Sequence, residues 1–167
     1  MNSRDLKIHA INTGKVTIRP NQVEGRGTGS TRMLNVYVDK RWTEPLPIYA
    51  WAIEHPEGVV VVDTGETAKT AERGYFPRWH PYYRNLKTYV KPEEEIGTQL
   101  KKIGIKANEV RQVILTHMHT DHAGGGLYHF PKSEIVIMKR PMTWQEDLEE
   151  CSEAFFRIVC LHGFRLR

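Results

Sequence analysis

The sequence predicts the α/β class, and three patterns carry that reading. The valine run of GVVVVDTG (58–65) and the apolar stretches VRQVIL (110–115) and EIVIMK (134–139) have strand length and β-branched content. Between them, PEEEIGTQLKKIGI (92–105) repeats its apolar residues at helical spacing. Strands alternating with helical segments indicate an α/β arrangement.

Each element has its own local reason. LKIHAINTGKVTI (6–18) alternates apolar and polar residues and reads as a first strand or hairpin. NQVEGRGTGSTR (21–32) is a glycine-rich connection. It lacks the Lys and Ser/Thr that complete a phosphate-binding loop, so it reads as a flexible turn. IYAWAIEHPEGVVVVDTG (48–65) reads as a hairpin: strand Ile48–Glu54, a turn at Pro56–Gly58, strand Val59–Val62. The unbroken valines suggest burial on both faces. From Ala68 to Lys91 the aromatics Tyr75, Phe76, Trp79, Tyr82, Tyr83 and Tyr89 fit neither period, which predicts a long loop with one short helical turn. In the helix, Pro92 suits the first position, three glutamates suit the positive end of the dipole, and Gly104 suits the C-terminal cap. Ile96, Leu100 and Ile103 make its buried stripe. A terminal helix is expected in MTWQEDLEECSEAFFRIVCL (142–161), with Trp144, Leu148, Cys151, Phe155 and Ile158 on one side.

Composition narrows the function. A chain of 167 residues supports one domain with a real core. The segments divide into a strand and glycine-rich connection (1–44), a main body (45–150) and a possible helix end or aberrant tail (151–167). A formal charge of +4 is modest, and only Arg157, Arg165 and Arg167 form an acid-free basic end, so nucleic acid is not the expected partner. No apolar run has the length of a membrane span, and MNSRDLKIHAINTG lacks the apolar core of a signal peptide. Cys151 and Cys160 alone make no disulfide framework, and a cytoplasmic setting is expected.

The densest chemistry lies in LTHMHTDHAGG (115–125). His117 and His119 are two apart, so on an extended segment leaving a strand they point the same way. Asp121 and His122 follow at a turn that bends their donors back. Imidazole and carboxylate without a nearby thiolate suit Zn²⁺, Mn²⁺ or Fe. Gly124, Gly125 and Gly126 permit close backbone approach. The alternative, a surface loop rich in histidine by chance, explains neither the strand nor the glycines.

His-x-His-x-Asp-His after VILT, preceded by GVVVVDTG and followed by AGG, resembles the metallo-β-lactamase superfamily. The resemblance covers roughly residues 45 to 140. It implies an αβ/βα sandwich of which this chain holds mainly the N-terminal half. The aromatic insertion after VDTG and the stretch LTHMHTDHAGGGLYHFPKSEIVI look most like the N-acyl homoserine lactonase branch, which opens the lactone ring of quorum-sensing signals. Glyoxalase II-like thioesterases carry the same motif and remain the competing enzyme reading. Carried over by residue, His117 and His119 bind a first zinc ion, and Asp121 and His122 a second. Asp63 supports a ligand histidine or the metal loop; its plainer role is a turn-forming aspartate after a strand. Two adjacent divalent cations activate a shared water near neutral pH and polarise the ester carbonyl, and Asp121 passes a proton to the leaving alkoxide. The substrate implied is a small-molecule lactone or ester, with no membrane and no nucleic acid.

The chain also departs from the pattern. The family uses further ligands downstream: a histidine for each metal and a bridging aspartate. After His122 only His129, His162 and Asp147 are available. His129, beside Phe130, has a surface or packing role, and Asp147 sits on the acidic face of QEDLEE. His162 is the one conceivable substitute, and Cys160 beside it adds little. AFFRIVCLHGFRLR (154–167) closes an amphipathic helix or is an out-of-frame tail on a truncated product, and the missing half favours truncation. These features set an active metallohydrolase against a non-catalytic fragment with a partial metal site. A half-sandwich is expected to leave one sheet face exposed.

Overall fold

The computed structural model describes residues 6–76, 81–117 and 119–137. Six strands form one sheet: β1 (Lys7–Ile18), β2 (Leu46–His55), β3 (Gly58–Val62), β4 (Leu86–Tyr89), β5 (Val110–Leu115) and β6 (Glu134–Ile137). Their spatial order is β4-β1-β2-β3-β5-β6. Pairings β4–β1, β1–β2 and β2–β3 are antiparallel, whereas β3–β5 and β5–β6 are parallel. Three α-helices, α1 (Pro20–Glu24), α2 (Ser30–Val38) and α3 (Ile96–Lys102), lie among the described elements, with short 3₁₀ turns and a π-helical turn at Thr120–Gly124 between strands. A parallel pair needs a crossover, and the connection from β3 to β5 contains α3.

The β2–β3 hairpin lies where the valine run and the Pro-Glu-Gly turn place it. Burial along β3 alternates, however: Val59 and Val61 are buried while Val60 and Val62 are only partly covered. Alternation is the signature of a strand covered on one face, so the expectation of burial on both faces is corrected.

Two connections hold more structure than their composition suggests. Within the glycine-rich segment, α1 and α2 flank a turn of Gly25 to Gly29. Pro20 opens α1, and Gly25 closes it in the left-handed conformation at φ 64°. The buried Asp39 carboxylate accepts from the Asn21 amide at 3.1 Å and the Arg41 side chain at 2.9 Å, tying α1 to the residues after α2. The Arg41 guanidinium holds the Asp39 carboxyl well below the usual range. The aromatic segment is likewise not all loop. It contains single 3₁₀ turns at Ala68–Ala71 and Pro81–Arg84, and then β4, an edge strand on β1. Four residues are too few to show a period, and the pairing partner is distant in sequence.

The predicted helix is split. Pro92–Glu94 is a 3₁₀ turn, and α3 begins only at Ile96, because Glu95 is extended at ψ 144° with its carboxylate engaged elsewhere. At the other end Gly104 turns left-handed at φ 84°, and the amides of Gly104 and Ile105 return to Lys101 and Leu100. That closure buries Ile105 beside Leu100 and leaves Ile103 43% exposed, so the third member of the stripe is Ile105 rather than Ile103.

The main core joins Ala50, Ala52, Val61, Val113, Leu115 and Ile135 of the sheet to Ile96 and Leu100 of α3 and to Leu127 and Phe130 beyond the histidine motif. A smaller cluster of Val16, Ile48 and Leu86 takes Phe76 and Tyr83 on its side. Phe76 stacks on Tyr83 at 4.4 Å, so these two aromatics serve packing. The expected helix at 142–161, with Trp144, Leu148, Cys151, Phe155 and Ile158, lies outside the described residues. So do Asp147, Cys160 and His162.

Candidate metal centre

β3 and β5 run parallel with Val62 opposite Ile114, so both strands release their chains at the same edge of the sheet. Carboxyl ends of parallel strands are where α/β proteins place ligand sites. Here β3 delivers Asp63, and β5 delivers Thr116 and His117.

Asp63 has φ 57°, the only non-glycine residue at positive φ among those described. Its amide still donates to Ile114 O at 2.9 Å, and Gly65 after it is also left-handed, at φ 68°. The turn swings the carboxylate across to β5. There it accepts from the Thr116 amide at 2.9 Å, the Thr116 hydroxyl at 2.8 Å and His122 Nδ1 at 2.8 Å. Burial disfavours charge on Asp63, but the bonds from His122 and Thr116 outweigh it and hold the carboxyl below its ordinary range. Against its own burial, His122 is raised by the Asp63 bond and by the charges of Asp121 and Asp63.

This carboxylate orients two imidazoles. His122 Nδ1 donates to Asp63, which leaves Nε2 as the acceptor. The Thr116 hydroxyl gives its single proton to Asp63, so its oxygen receives His117 Nδ1–H at 3.0 Å. His117 Nε2 is thereby also an acceptor. Each histidine turns an Nε2 lone pair away from Asp63. The tautomers follow from these bonds rather than from visible hydrogens.

Around them, His117 and His122 lie with ring centroids 4.0 Å apart, and His117 and His119 at 4.6 Å. His117 Nε2 meets His119 Nδ1 at 2.8 Å, and His122 Nε2 lies 3.6 Å from Asp121 Oδ2. Burial, then the neighbouring His122 and His119, lowers the affinity of His117 for a proton. A neutral imidazole is what a metal ligand requires. The donor types therefore suit a borderline divalent cation such as Zn²⁺. They are joined in pairs, and among the described residues no three His, Cys, Asp or Glu side chains are grouped to hold a metal.

The loop is clamped from below by the segment after Asp63. The Thr64 amide and hydroxyl donate to His122 O at 2.8 and 3.1 Å. The three glycines lie against this segment. A Cβ on Gly126 would stand 2.2 Å from Thr64 O, and one on Gly125 would stand 2.3 Å from Thr67 Cβ. Glycine is required there by contact, whatever its φ.

Sequence reasoning missed four residues around the loop. Thr116 is polar at the end of an apolar strand, a signal that was legible. Glu66, Glu95 and Tyr128 gave none, because acids beside loops are usually solvated. Glu66 is completely buried, and burial pushes its carboxyl up to about 8. Glu95 Oε1 accepts from Thr67 Oγ1 and the Ala68 amide, both at 2.8 Å, while its Oε2 takes the Tyr128 hydroxyl and lies 3.1 Å from His129 Nε2. His129 is thus bound to Glu95 and packed on Gly97, a structural position.

The family model described as the metallo-beta-lactamase superfamily matches residues 43–152. An N-acyl homoserine lactonase of Bacillus cereus is 28% identical over 110 residues, covering 64% of this chain and 44% of the relative. A crystal structure of a B. thuringiensis AiiA variant with N-decanoyl-L-homoserine bound at its active site superposes with a TM-score of 0.66 at 19% identity, covering 96% of this chain and 59% of that one. AidC, a dizinc quorum-quenching lactonase, matches with a TM-score of 0.50 at 16% identity, over 81% of this chain and 42% of its own. The chain spans about half the length of the curated relatives it matches. Among the described residues no helix is long and apolar enough to cross a membrane.

Proposed function

The chain belongs to the metallo-beta-lactamase superfamily, and from that premise we propose that its chemistry is zinc-dependent hydrolysis of a cyclic ester, with N-acyl homoserine lactones as the substrate class. The observation that carries the proposal is the Asp63 carboxylate orienting His122 directly and His117 through Thr116. A surface histidine loop has no use for that arrangement. The substrate class is supported by the names of the relatives, AiiA and AidC among them.

In this proposal His117 and His119 hold one zinc ion, and Asp121 and His122 hold the other; Mn²⁺ or Fe can take the same donors. When bound, the metal supplies activated water at neutral pH and Lewis acidity toward the ester carbonyl. The chain's own residues do the rest. Asp63 keeps His122 Nδ1 protonated, Thr116 does the same for His117, and both Nε2 atoms are presented as ligands. In this reading Asp121, 3.6 Å from His122 Nε2, would take the proton lost by the attacking water and pass it to the departing alkoxide. With two donors per cation among the described residues, binding is loose and the orientational benefit small, so the 167-residue chain should turn over slowly or not at all.

The test is zinc content and lactone ring opening in the purified chain, beside a His117→Ala/His119→Ala variant. Lower zinc in the variant supports the assignment. Equal zinc in both refutes it, and turnover of thioesters in preference to lactones moves the substrate class.

A further inference from the structure

Glu66 is the one fully buried acid among the described residues, and the proposed chemistry leaves it without a task. Its Oε1 accepts the Thr67 amide at 3.0 Å and the Gly125 amide at 3.1 Å. One donor lies on the segment after Asp63 and the other on the turn after His122. Oε2 meets no hydrogen-bond partner among the described residues, and the Thr120 hydroxyl lies against the same carboxyl. The fit is close on the loop side, since a Cβ on Gly124 would stand 3.1 Å from Oε1 and 3.2 Å from Oε2. A side chain that costly to bury is retained where it satisfies amides that nothing else reaches.

We propose that Glu66 is a positioning residue of the metal loop: by collecting the Gly125 and Thr67 amides on one oxygen, it fixes the turn that carries Asp121 and His122 at its distance from Asp63. Asp63 grips the loop at a side chain, His122 Nδ1, and Thr64 grips the His122 carbonyl. Glu66 grips it beyond His122, on the backbone. Two grips leave a hinge about His122, and the third removes it. The consequence for metal binding rests on the assignment of His117, His119, Asp121 and His122 as ligands; the consequence for the loop does not.

The experiment uses the full chain with Glu66→Leu, which fills the space but accepts nothing, and Glu66→Gln, which keeps an acceptor oxygen. Amide exchange of the metal-free protein is followed by mass spectrometry over peptides spanning 120–127, with β2 and β5 peptides as reference. Loss of the grip should speed exchange at 120–127 roughly tenfold in Glu66→Leu, with the reference peptides unchanged and Glu66→Gln within about twofold of the unmodified chain. Equal exchange in Glu66→Leu and the unmodified chain overturns the proposal, as does acceleration spread evenly over all peptides. Should Glu66→Leu fail to fold, a tenfold acceleration in Glu66→Gln overturns it and a near-unmodified rate supports it. In parallel, Co²⁺ is titrated and its visible absorption recorded. A weaker, altered cobalt spectrum in Glu66→Leu, rescued in Glu66→Gln, completes the case, and an unaltered spectrum overturns the link to metal geometry. If the unmodified chain binds no cobalt, the ligand assignment falls, and exchange alone decides the grip.

Discussion

The two faces of the sheet carry similar apolar residues and treat them differently. On one face Ala50, Ala52, Val61, Val113 and Ile135 are 0% exposed, beneath Ile96 and Leu100 of α3 and the Leu127–Phe130 turn. On the other, register places Tyr49, Trp51 and Ile53 of β2 beside Asn12, Ala10 and Ile8 of β1, and Trp51 beside Val62. There Ile8 is 61%, Tyr49 45% and Trp51 44% exposed. Both faces read as strand in the sequence, so the difference is set by what lies over them. It teaches that stability and site share a face. The turn that follows the histidine motif supplies Leu127 and Phe130 to the closed core, and Leu115 ahead of it lies in the same core, so the histidine loop is anchored at both ends by packing.

If that division is right, substitutions should sort by face. Phe130→Ala should be the most damaging, costing about 3–5 kcal/mol in urea unfolding, a large part of a small domain's stability. A cost under 1 kcal/mol would mean that the closed face is not the core. Gly126→Ala comes next. Its Cβ would overlap Thr64 O, so a loss of about 1–3 kcal/mol is expected, with weaker zinc retention in dialysis.

Asp63→Asn probes the join between core and site. It weakens the bonds to His122 and Thr116 and should cost about 1–3 kcal/mol. The sign of its pH dependence follows from a folded-state affinity for protons that is lowered. Its stabilisation is complete above the unfolded value of about 3.9, and it is lost as pH falls through the lower folded value. Acid unfolding of the metal-free protein should therefore lose part of its steepness below that point in Asp63→Asn; an unchanged acid limb would show the carboxylate to be idle. Smallest of all should be Ile8→Thr on the open face, within about 0.5 kcal/mol by thermal unfolding, with less light scattering at high concentration. A loss above 2 kcal/mol would show that the open face is covered in solution.

Much of the site was legible because its pieces are local. His-x-His-x-Asp-His, the glycines behind it and the strand ahead of it lie in one stretch, and the valine run ending in Asp63 marks the neighbouring strand. Periodicity and turn chemistry act over a few residues, so the β2–β3 hairpin, β5 and the body of α3 could be read directly. Where a single distant contact decides, reading failed: Glu95 left the helix to reach Thr67, and four residues became β4 only by pairing with β1. Ile103 gave up its place to Ile105 for a local reason, the left-handed turn at Gly104 that follows it.

By itself, then, the sequence determined the class of fold, the family, the strand that ends at the histidines and the donors gathered there. Tertiary structure alone decided that Asp63 reaches both His122 and Thr116, that Glu66 is buried under Gly124 and Gly125, and that one face of the sheet is covered. The physical reason is range. Donor type and strand propensity belong to a residue and its neighbours, whereas a hydrogen bond across 59 positions, such as His122 to Asp63, exists only once two parallel strands have been set side by side.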